Sequence, residues 1–562
     1  MEYLLSRVGR RFRAGARQSP GPPRSERVGA PPRRRALVIC THLRPSRDKR
    51  RSNYFMQPIT GLHVGSLIDH QKFDVCLHHE DWHGPFDTTN CAGYDLVFLS
   101  GLQPDFDRMR QLSYYFRAAG ATVVAGGSIC TSFPEFAGRF FDAVCVGGVD
   151  SVPNVVNDFL NGSLGLIYRS PIARISSYAV DYTLFPKNGI NPLLHLMETS
   201  RGCSFKCSFC VIPAEVGGHA RYEMSTLAAD LERALASSPT LSFRRWYPMV
   251  MLHDNNFSDD REHMLRVAEM FRLHPKIRGW SALITQNILH DRQLISHLAK
   301  SKCIGLFAGI ESLDEAMLKR FNKKQNLGRR QNVNEDIAFA ESRGIAIAYG
   351  YLFDPRHQTA AEMQRQIKAI ADDPLMPMPV YLSVVAPLAG TASFWEDLRA
   401  GQLAPNLRLR DLDGETIGHA TLADREDAIV AFIERIFRRP WTVVGRRGIL
   451  LKTLRRIVRA RTLNPIRWYV IASANLHCFL WSTATPVRQR SYVAGSDTLD
   501  PQYFDRAADL SEKDRIQYFD PIFLTDANGG PVEWLKPYVP ALARPDVRPV
   551  AHPARTTREP QS

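Results

Sequence analysis

The chain is poor in cysteine, with ten in 562 residues, too few for a disulfide scaffold. It also lacks a membrane-spanning run. The longest apolar stretch, Trp468–Trp481, is interrupted by Asn475 and His477 and falls short of the roughly 20 residues a spanning helix needs. Acid is absent where base is dense. Residues 435–467 hold eleven Lys or Arg and no Asp or Glu, and residues 1–35 hold ten Arg against two Glu. No clean apolar segment follows the N-terminal charges, so a secretory signal is not supported. The Pro-, Gly- and Ser-rich start reads as a disordered tail, with an Arg-rich transit peptide as the alternative.

What remains has the composition of a core-forming protein. Hydrophobic residues make up 44%, charged residues 23%, and the net charge is +15. Collagen-like, coiled-coil and wholly disordered classes are excluded. At roughly 100–200 residues per domain, the length predicts three or four domains.

Two strand–helix series organise the chain. In the first, short β-branched runs fall at Ala36–Thr41, Phe73–His78, Asp95–Ser100, Thr122–Ala125 and Asp142–Val146, separated by helical patterns such as Asp107–Ala119. This alternation predicts an α/β, doubly wound Rossmann-like domain over 36–165. Ligands on such sheets sit beyond the carboxyl ends of the strands. Those ends read Ser100-Gly101 and Gly126-Gly127 here, where glycine permits close backbone approach. Tight turns would also explain the glycines.

Residues 166–193 read as a connector. The second series predicts strands at Leu194–Thr199, Met249–Leu252, Trp280–Ile284, Ile304–Ile310, Ile345–Phe353 and Val380–Val385. Six βα units over 194–400 predict a partial (β/α)6 barrel with its site at the strand C-terminal face. Residues 401–540 read as a mainly helical, basic region, and 541–562 as a second disordered tail.

Three cysteines decide the chemistry. Cys203, Cys207 and Cys210 lie on one loop after the first barrel strand, with gaps of three and two residues. Soft thiolates select iron–sulfur clusters or zinc. A closed zinc site wants four ligands, which His219 or a distant cysteine would complete. A four-iron cluster on three thiolates keeps one iron free of protein, and chemistry can happen there.

This CxxxCxxC loop, the six βα units and the aromatic Phe209 before the last cysteine resemble the radical S-adenosylmethionine (radical SAM) superfamily. His253-Asp254-Asn255-Asn256-Phe257 resembles an element closing the second strand, and Gly309-Ile310-Glu311-Ser312 one closing the fourth. Arg320–Asn326 resembles a basic Asn-Lys-x-Gln-Asn stretch, and Pro387-Leu388-Ala389-Gly390-Thr391 a turn after the sixth. The first domain resembles the cobalamin-binding domain that precedes the barrel in one class, through Pro58–Leu62, Ala125–Ser128 and Phe141–Asp150. The cobalt-ligating Asp-x-His-x-x-Gly loop is absent after the first strand, and Gly148 replaces a usual Glu.

The nearest subgroup it resembles is the hopanoid methylases, through Cys210-Val211-Ile212-Pro213, Gly217, Arg221 and Gly350–Asp354. The usual helper Asp is displaced within Asp354–Thr359.

The resemblance implies a [4Fe-4S] cluster on the three cysteines. It implies a SAM site at Phe209, Asp254, Asn255, Gly309, Glu311, Ser312 and Pro387. It further implies a cobalamin site at Ser100, Gly101, Gly126, Gly127 and Gly147. The implied reaction is methylation of an unactivated carbon of a small molecule or lipid, with a cytoplasmic setting and a flavodoxin- or ferredoxin-type electron donor. A non-methylating radical SAM oxidoreductase or cyclase is the alternative, and a non-catalytic iron–sulfur or cobalamin sensor a remoter one. Tyr349 and Tyr351 read as core aromatics that could instead line the cavity.

The basic stretch Arg435–Arg467 carries Leu450, Leu454, Ile457 and Val458 at helical spacing. No nucleic-acid motif accompanies it, so no nucleic-acid partner is expected. It reads as a solvated face of a packed helix or as a peripheral membrane contact.

Overall fold

The computed structural model describes residues 33–42, 59–170, 178–185, 194–215, 218–238, 243–327, 332–414, 416–421, 423–438, 445–480 and 510–539. Nearly all of both tails lies outside these residues.

The first sheet has six parallel strands: β1 (Arg34–Cys40), β2 (Phe73–His79), β3 (Leu96–Gly101), β4 (Thr122–Gly127), β5 (Ala143–Val146) and β6 (Ile167–Arg169). Their order is β2-β1-β3-β4-β5-β6, the doubly wound arrangement with its switch point between β1 and β3. The inner strands β1, β3, β4 and β5 are mainly buried and apolar because helices cover both faces, while the edge strands β2 and β6 are half-buried. Two boundaries differ from expectation. β6 lies in the stretch read as connector, and at three residues it is too short to announce itself by pattern. Arg34 and Arg35, assigned to the tail, belong to β1. The guanidinium of Arg35 stacks on Tyr94 at 4.4 Å, and its backbone N–H donates to Asp95.

The second series forms β7 (Leu194–Met197), the hairpin β8 (Ser200–Cys203) and β9 (Gly218–Arg221), then β10 (Met249–Leu252), β11 (Gly279–Thr285), β12 (Cys303–Gly309), β13 (Ala346–Ala348), β14 (Gly350–Phe353) and β15 (Tyr381–Val384). Strands β13-β12-β11-β10-β7 make one parallel sheet, and β14 pairs with β15 in parallel. A bridge between Glu311 and Tyr351 joins the two. The result is the six-unit open barrel, with its fifth strand broken at Tyr349. Side-chain caps start the outer helices: Asp260, Asp291, Asp314 and Thr359 each accept from a first-turn N–H, satisfying donors that would otherwise be orphaned.

Trp280, Phe271 and Phe257 anchor the core between the barrel and its outer helices. Leu194, Leu196, Met249, Met251 and Ile304 face the other way, and Ile466 and Val470 from helix Pro465–Leu480 pack on them. Ile471 and Ala474 of the same helix pack with Ala346.

The C-terminal region divides. Helices Arg446–Arg459 and Pro465–Leu480 pack on the barrel, whereas residues 510–539 join the first domain. Trp534 stacks on Phe136 at 3.9 Å, Phe519 packs edge-on to Tyr114, and the guanidinium of Arg110 donates to the carbonyls of Gln517 and Asp520. Leu524 and Leu535 lie in one apolar cluster with Leu37, Ile39, Val97 and Val123. The expectation of a separate helical region over 401–540 therefore gives way to two destinations.

Candidate active site at the barrel mouth

Cys203 ends β8, and Cys207 and Cys210 follow on the loop before β9; all three are partly exposed. The loop is fixed from three sides. Asp259 accepts from the Ser204 N–H and hydroxyl, and the Asn256 amide donates to Asp259 and to the Cys203 sulfur, at 3.5 Å. The Ser208 N–H donates to the Phe321 carbonyl, while the Ser393 N–H and hydroxyl donate to the Ser208 carbonyl. The amides of Asn322 and Gln325 donate to the Lys206 carbonyl and, at 3.6 Å, the Cys207 sulfur. Burial raises the Cys203 thiol and pushes Cys210 up to about 12.

Among the described residues, no three His, Cys, Asp or Glu side chains gather around a point that would hold a single metal ion. His219, the candidate fourth zinc ligand, instead faces Asp259 at 3.8 Å. A cubane takes each thiolate to a different iron, so three thiols spread along one pinned loop fit a cluster.

The proposed SAM residues surround this loop unequally. The Phe209 ring packs edge-on to Phe321, centroids 5.3 Å apart, with the Lys323 ammonium 5.8 Å from its centroid. Glu311 sits at φ 62°, a backbone state rare for a non-glycine residue. Lys323 donates to its carboxylate at 2.7 Å. A side chain on Gly309 would collide with Lys323 and crowd Glu311, so glycine there lets the ion pair form. Asn326 donates to the carbonyls of Gly309 and Ile310.

Asn255 is exposed and accepts from the Gly202 N–H. Asp254 is fully buried. Its carboxylate accepts from the Thr199 N–H and from the Thr199 and Ser200 hydroxyls, so it ties the strand end rather than facing the loop's open side. Burial pushes it up to about 6, against those hydrogen bonds. The Ser312 hydroxyl caps the Asp314 N–H, and Ser312 and Pro387 are buried. Tyr349 and Tyr351 are core residues, bonded to the Pro377 carbonyl and to Gln366.

In the first domain, the ends of β1, β3, β4 and β5 converge at the switch point. A side chain on Gly127, at φ 105°, would strike the Gly101 carbonyl, and one on Gly101 would strike Thr41. These two glycines let β3, β4 and the turn after β1 crowd together. At Gly126 an added methyl would make only ordinary contact, 3.8 Å from the Cys145 Cβ. Gly147 has φ 86° and donates to Thr131. Ser100 lends its carbonyl to Thr41. These glycine-rich strand ends make the carboxyl edge of the sheet, where ligands of doubly wound folds bind.

Two polar joints lock this edge against the barrel mouth. The Gln103 side chain donates to the Ala389 carbonyl at 2.7 Å and accepts from the Ala389 N–H at 2.8 Å. It also donates to Ser128, which donates to Glu215 on the thiol-loop helix; burial raises the Glu215 carboxyl. At the second joint Arg201 reaches Glu198, Asp150, Tyr178 and Tyr222. Tyr178 bonds His63 at 2.6 Å. Burial, with help from Arg201, drives the His63 imidazole neutral, and burial pushes His253 down to about 4.

Sequence reasoning passed over Asp259, Gln103 and Ser393, and quoted Asn256 only within the His253–Phe257 motif. Only the Asp at the start of a helix pattern hinted at Asp259.

No protein-family model matches the chain. The bacteriochlorophyllide d C-8(2)-methyltransferase of Chlorobaculum tepidum is 24% identical over 373 residues, 64% of this chain and 80% of that protein. The hopanoid C-3 methylase of Methylococcus capsulatus is 27% identical over 290 residues, half of each chain. Among solved structures, the radical SAM methyltransferase TsrM from Kitasatospora setae, with cobalamin and a [4Fe-4S] cluster bound, superposes with a TM-score of 0.51. It is 15% identical and covers 67% of this chain and 77% of its own.

In fold the chain is similar to solved cobalamin-dependent radical SAM enzymes. In sequence it is similar to proteins named as bacteriochlorophyllide methyltransferases and hopanoid methylases.

Proposed function

We propose that this protein transfers a methyl group to an unactivated carbon of a small molecule or lipid. The proposal assigns it a [4Fe-4S] cluster on Cys203, Cys207 and Cys210, with SAM and cobalamin as its other cofactors. One observation carries the reading: the thiol loop and the first domain's strand ends face each other and are locked by Gln103–Ala389 and Ser128–Glu215. Two reacting centres held at fixed separation avoid the entropy cost of bringing them together. When bound, the cluster with SAM supplies hydrogen abstraction from carbon and cobalamin supplies the methyl group.

The protein's own share is positional. Asp259, Asn256, Ser393 and Gln325 hold the thiol loop. Glu311, held by Lys323, presents a carboxylate beside the loop for an ammonium group. The relatives' names specify a tetrapyrrole and a hopanoid, which supports a large, mainly apolar carbon skeleton as substrate.

The test is anaerobic reconstitution with iron, sulfide and hydroxocobalamin, followed by metal analysis and SAM turnover under dithionite. About four irons with stoichiometric cobalt, and 5′-deoxyadenosine formed, are expected. Iron without cobalt would remove methyl transfer from the reading. Zinc in place of iron, or no SAM cleavage, would overturn it.

The electron donor is assigned to the outer side of the thiol loop. Lys206, Lys319, Arg320 and Lys324 are exposed there, a cationic collar suited to an acidic flavodoxin or ferredoxin. In Lys319→Glu/Lys324→Glu, donor-driven SAM cleavage should fall roughly tenfold or more at low ionic strength, with dithionite-driven cleavage unchanged. Equal donor-driven rates would remove the assignment.

A further inference from the structure

Helix Arg446–Arg459 buries two cations and exposes an apolar stripe. Lys452 and Arg456 are buried against the barrel's outer layer, while Arg455 is exposed. The Lys452 ammonium donates to the carbonyls of Ile370 and Ala371, and burial pushes it down to about 8. Arg456 pairs with the equally buried Glu341. Ile449 is buried and Ile457 packs inward, but Leu450 is 63% exposed, Leu454 57% and Val458 70%. These three recur at four-residue intervals and form one stripe. Leu451 is exposed beside them, and Leu463, in the turn before the next helix, is 90% exposed. Tyr469 and Trp468 follow, also exposed.

Single exposed leucines need no explanation, but a stripe of them on a helix that buries Lys452 and Arg456 does. The charge around the stripe selects what covers it. Residues 435–467 contain eleven Lys or Arg and no acid, and Arg455 and Arg461 are exposed among the leucines. A second copy of this chain would bring the same cations to the same face and repel. An anionic bilayer satisfies both features, taking leucines into the acyl boundary and arginines at the headgroups. Tyr and Trp at the edge suit the interfacial layer.

We infer that the face formed by Leu450, Leu454, Val458 and Leu463, with Arg455 and Arg461, docks this protein on an anionic membrane surface. The inference stands apart from the methylation reading, because none of these residues borders the thiol loop's hydrogen-bond network.

The test is co-sedimentation of the full chain with vesicles of phosphatidylcholine alone and of phosphatidylcholine mixed with phosphatidylglycerol. Binding is expected to the mixed vesicles at low salt, weakening as salt rises. Leu450→Ser/Leu454→Ser/Val458→Ser should lower the partition coefficient roughly tenfold or more. Arg455→Gln/Arg461→Gln should lower it several-fold on mixed vesicles only. Val458→Asp serves as a second, minimal variant, and circular dichroism confirms that each folds. No binding to mixed vesicles at low salt, or unchanged binding of the folded triple and Val458→Asp variants, would overturn the inference. So would a concentration-dependent dimer that the triple variant loses, since the face would then belong to a second copy.

Discussion

Cys203→Ala, Cys207→Ala and Cys210→Ala are each expected to drop bound iron to background after anaerobic reconstitution and to abolish SAM cleavage. Two thiolates cannot hold a four-iron cluster securely, and no fourth cysteine in the described residues lies on the loop. The effect should be all-or-none because the rest of the site acts through position. Asp259→Ala should differ in kind. It removes the acceptor for Ser204 and a partner of Asn256, so iron should load but leave faster during gel filtration. Anaerobic iron analysis separates the two. Full iron retention in a cysteine variant would mean that the loop does not carry the cluster.

The largest stability effect is expected at Asp107. Its carboxylate is buried between Arg110 and Arg410, at 2.7 and 2.8 Å, and accepts from the Ile522 N–H. Asp107→Ala leaves two buried guanidinium groups without their shared carboxylate. Breaking a buried pair from one side costs about 3–5 kcal/mol, enough to lower the melting temperature by several degrees. Burial alone would raise the Asp107 pKa, but Arg410 and Arg110 outweigh it and hold the carboxyl below its usual range. A depressed folded-state pKa stabilises above the unfolded value of about 4, and that contribution is lost as pH falls through the folded value. Wild-type stability should therefore drop below about pH 4 more steeply than that of Asp107→Asn. Parallel pH–stability curves would remove Asp107 from the account.

The α/β class and the six-unit series were legible because buried parallel strands are short apolar runs between 3.6-residue patterns. The break at Tyr349 was not, since Ile345–Phe353 reads as one apolar run throughout. The thiol loop announced itself through spacing. Its supports did so only in part: Asn256 and Gln325 lie inside motifs that stood out, but Asp259 and Ser393 are ordinary polar residues until the fold brings them to residues 203–208. For helix Arg446–Arg459, periodicity identified a stripe but not which way it points. Its direction depends on Glu341, far away in sequence, waiting to receive Arg456.

The sharing of one apolar cluster between Leu37–Val144 and Leu524–Leu535 sets an order of events during synthesis. The first sheet is made early, yet Trp534, Phe519 and Tyr518, which cover its helices, leave the ribosome only after the whole barrel. The barrel is in effect an insert within a unit whose two halves bracket it. A nascent chain therefore exposes the apolar faces of Phe136 and Tyr114 for most of its elongation, a period in which chaperones have something to bind. A premature stop anywhere before residue 510 strips the N-terminal half of its cover.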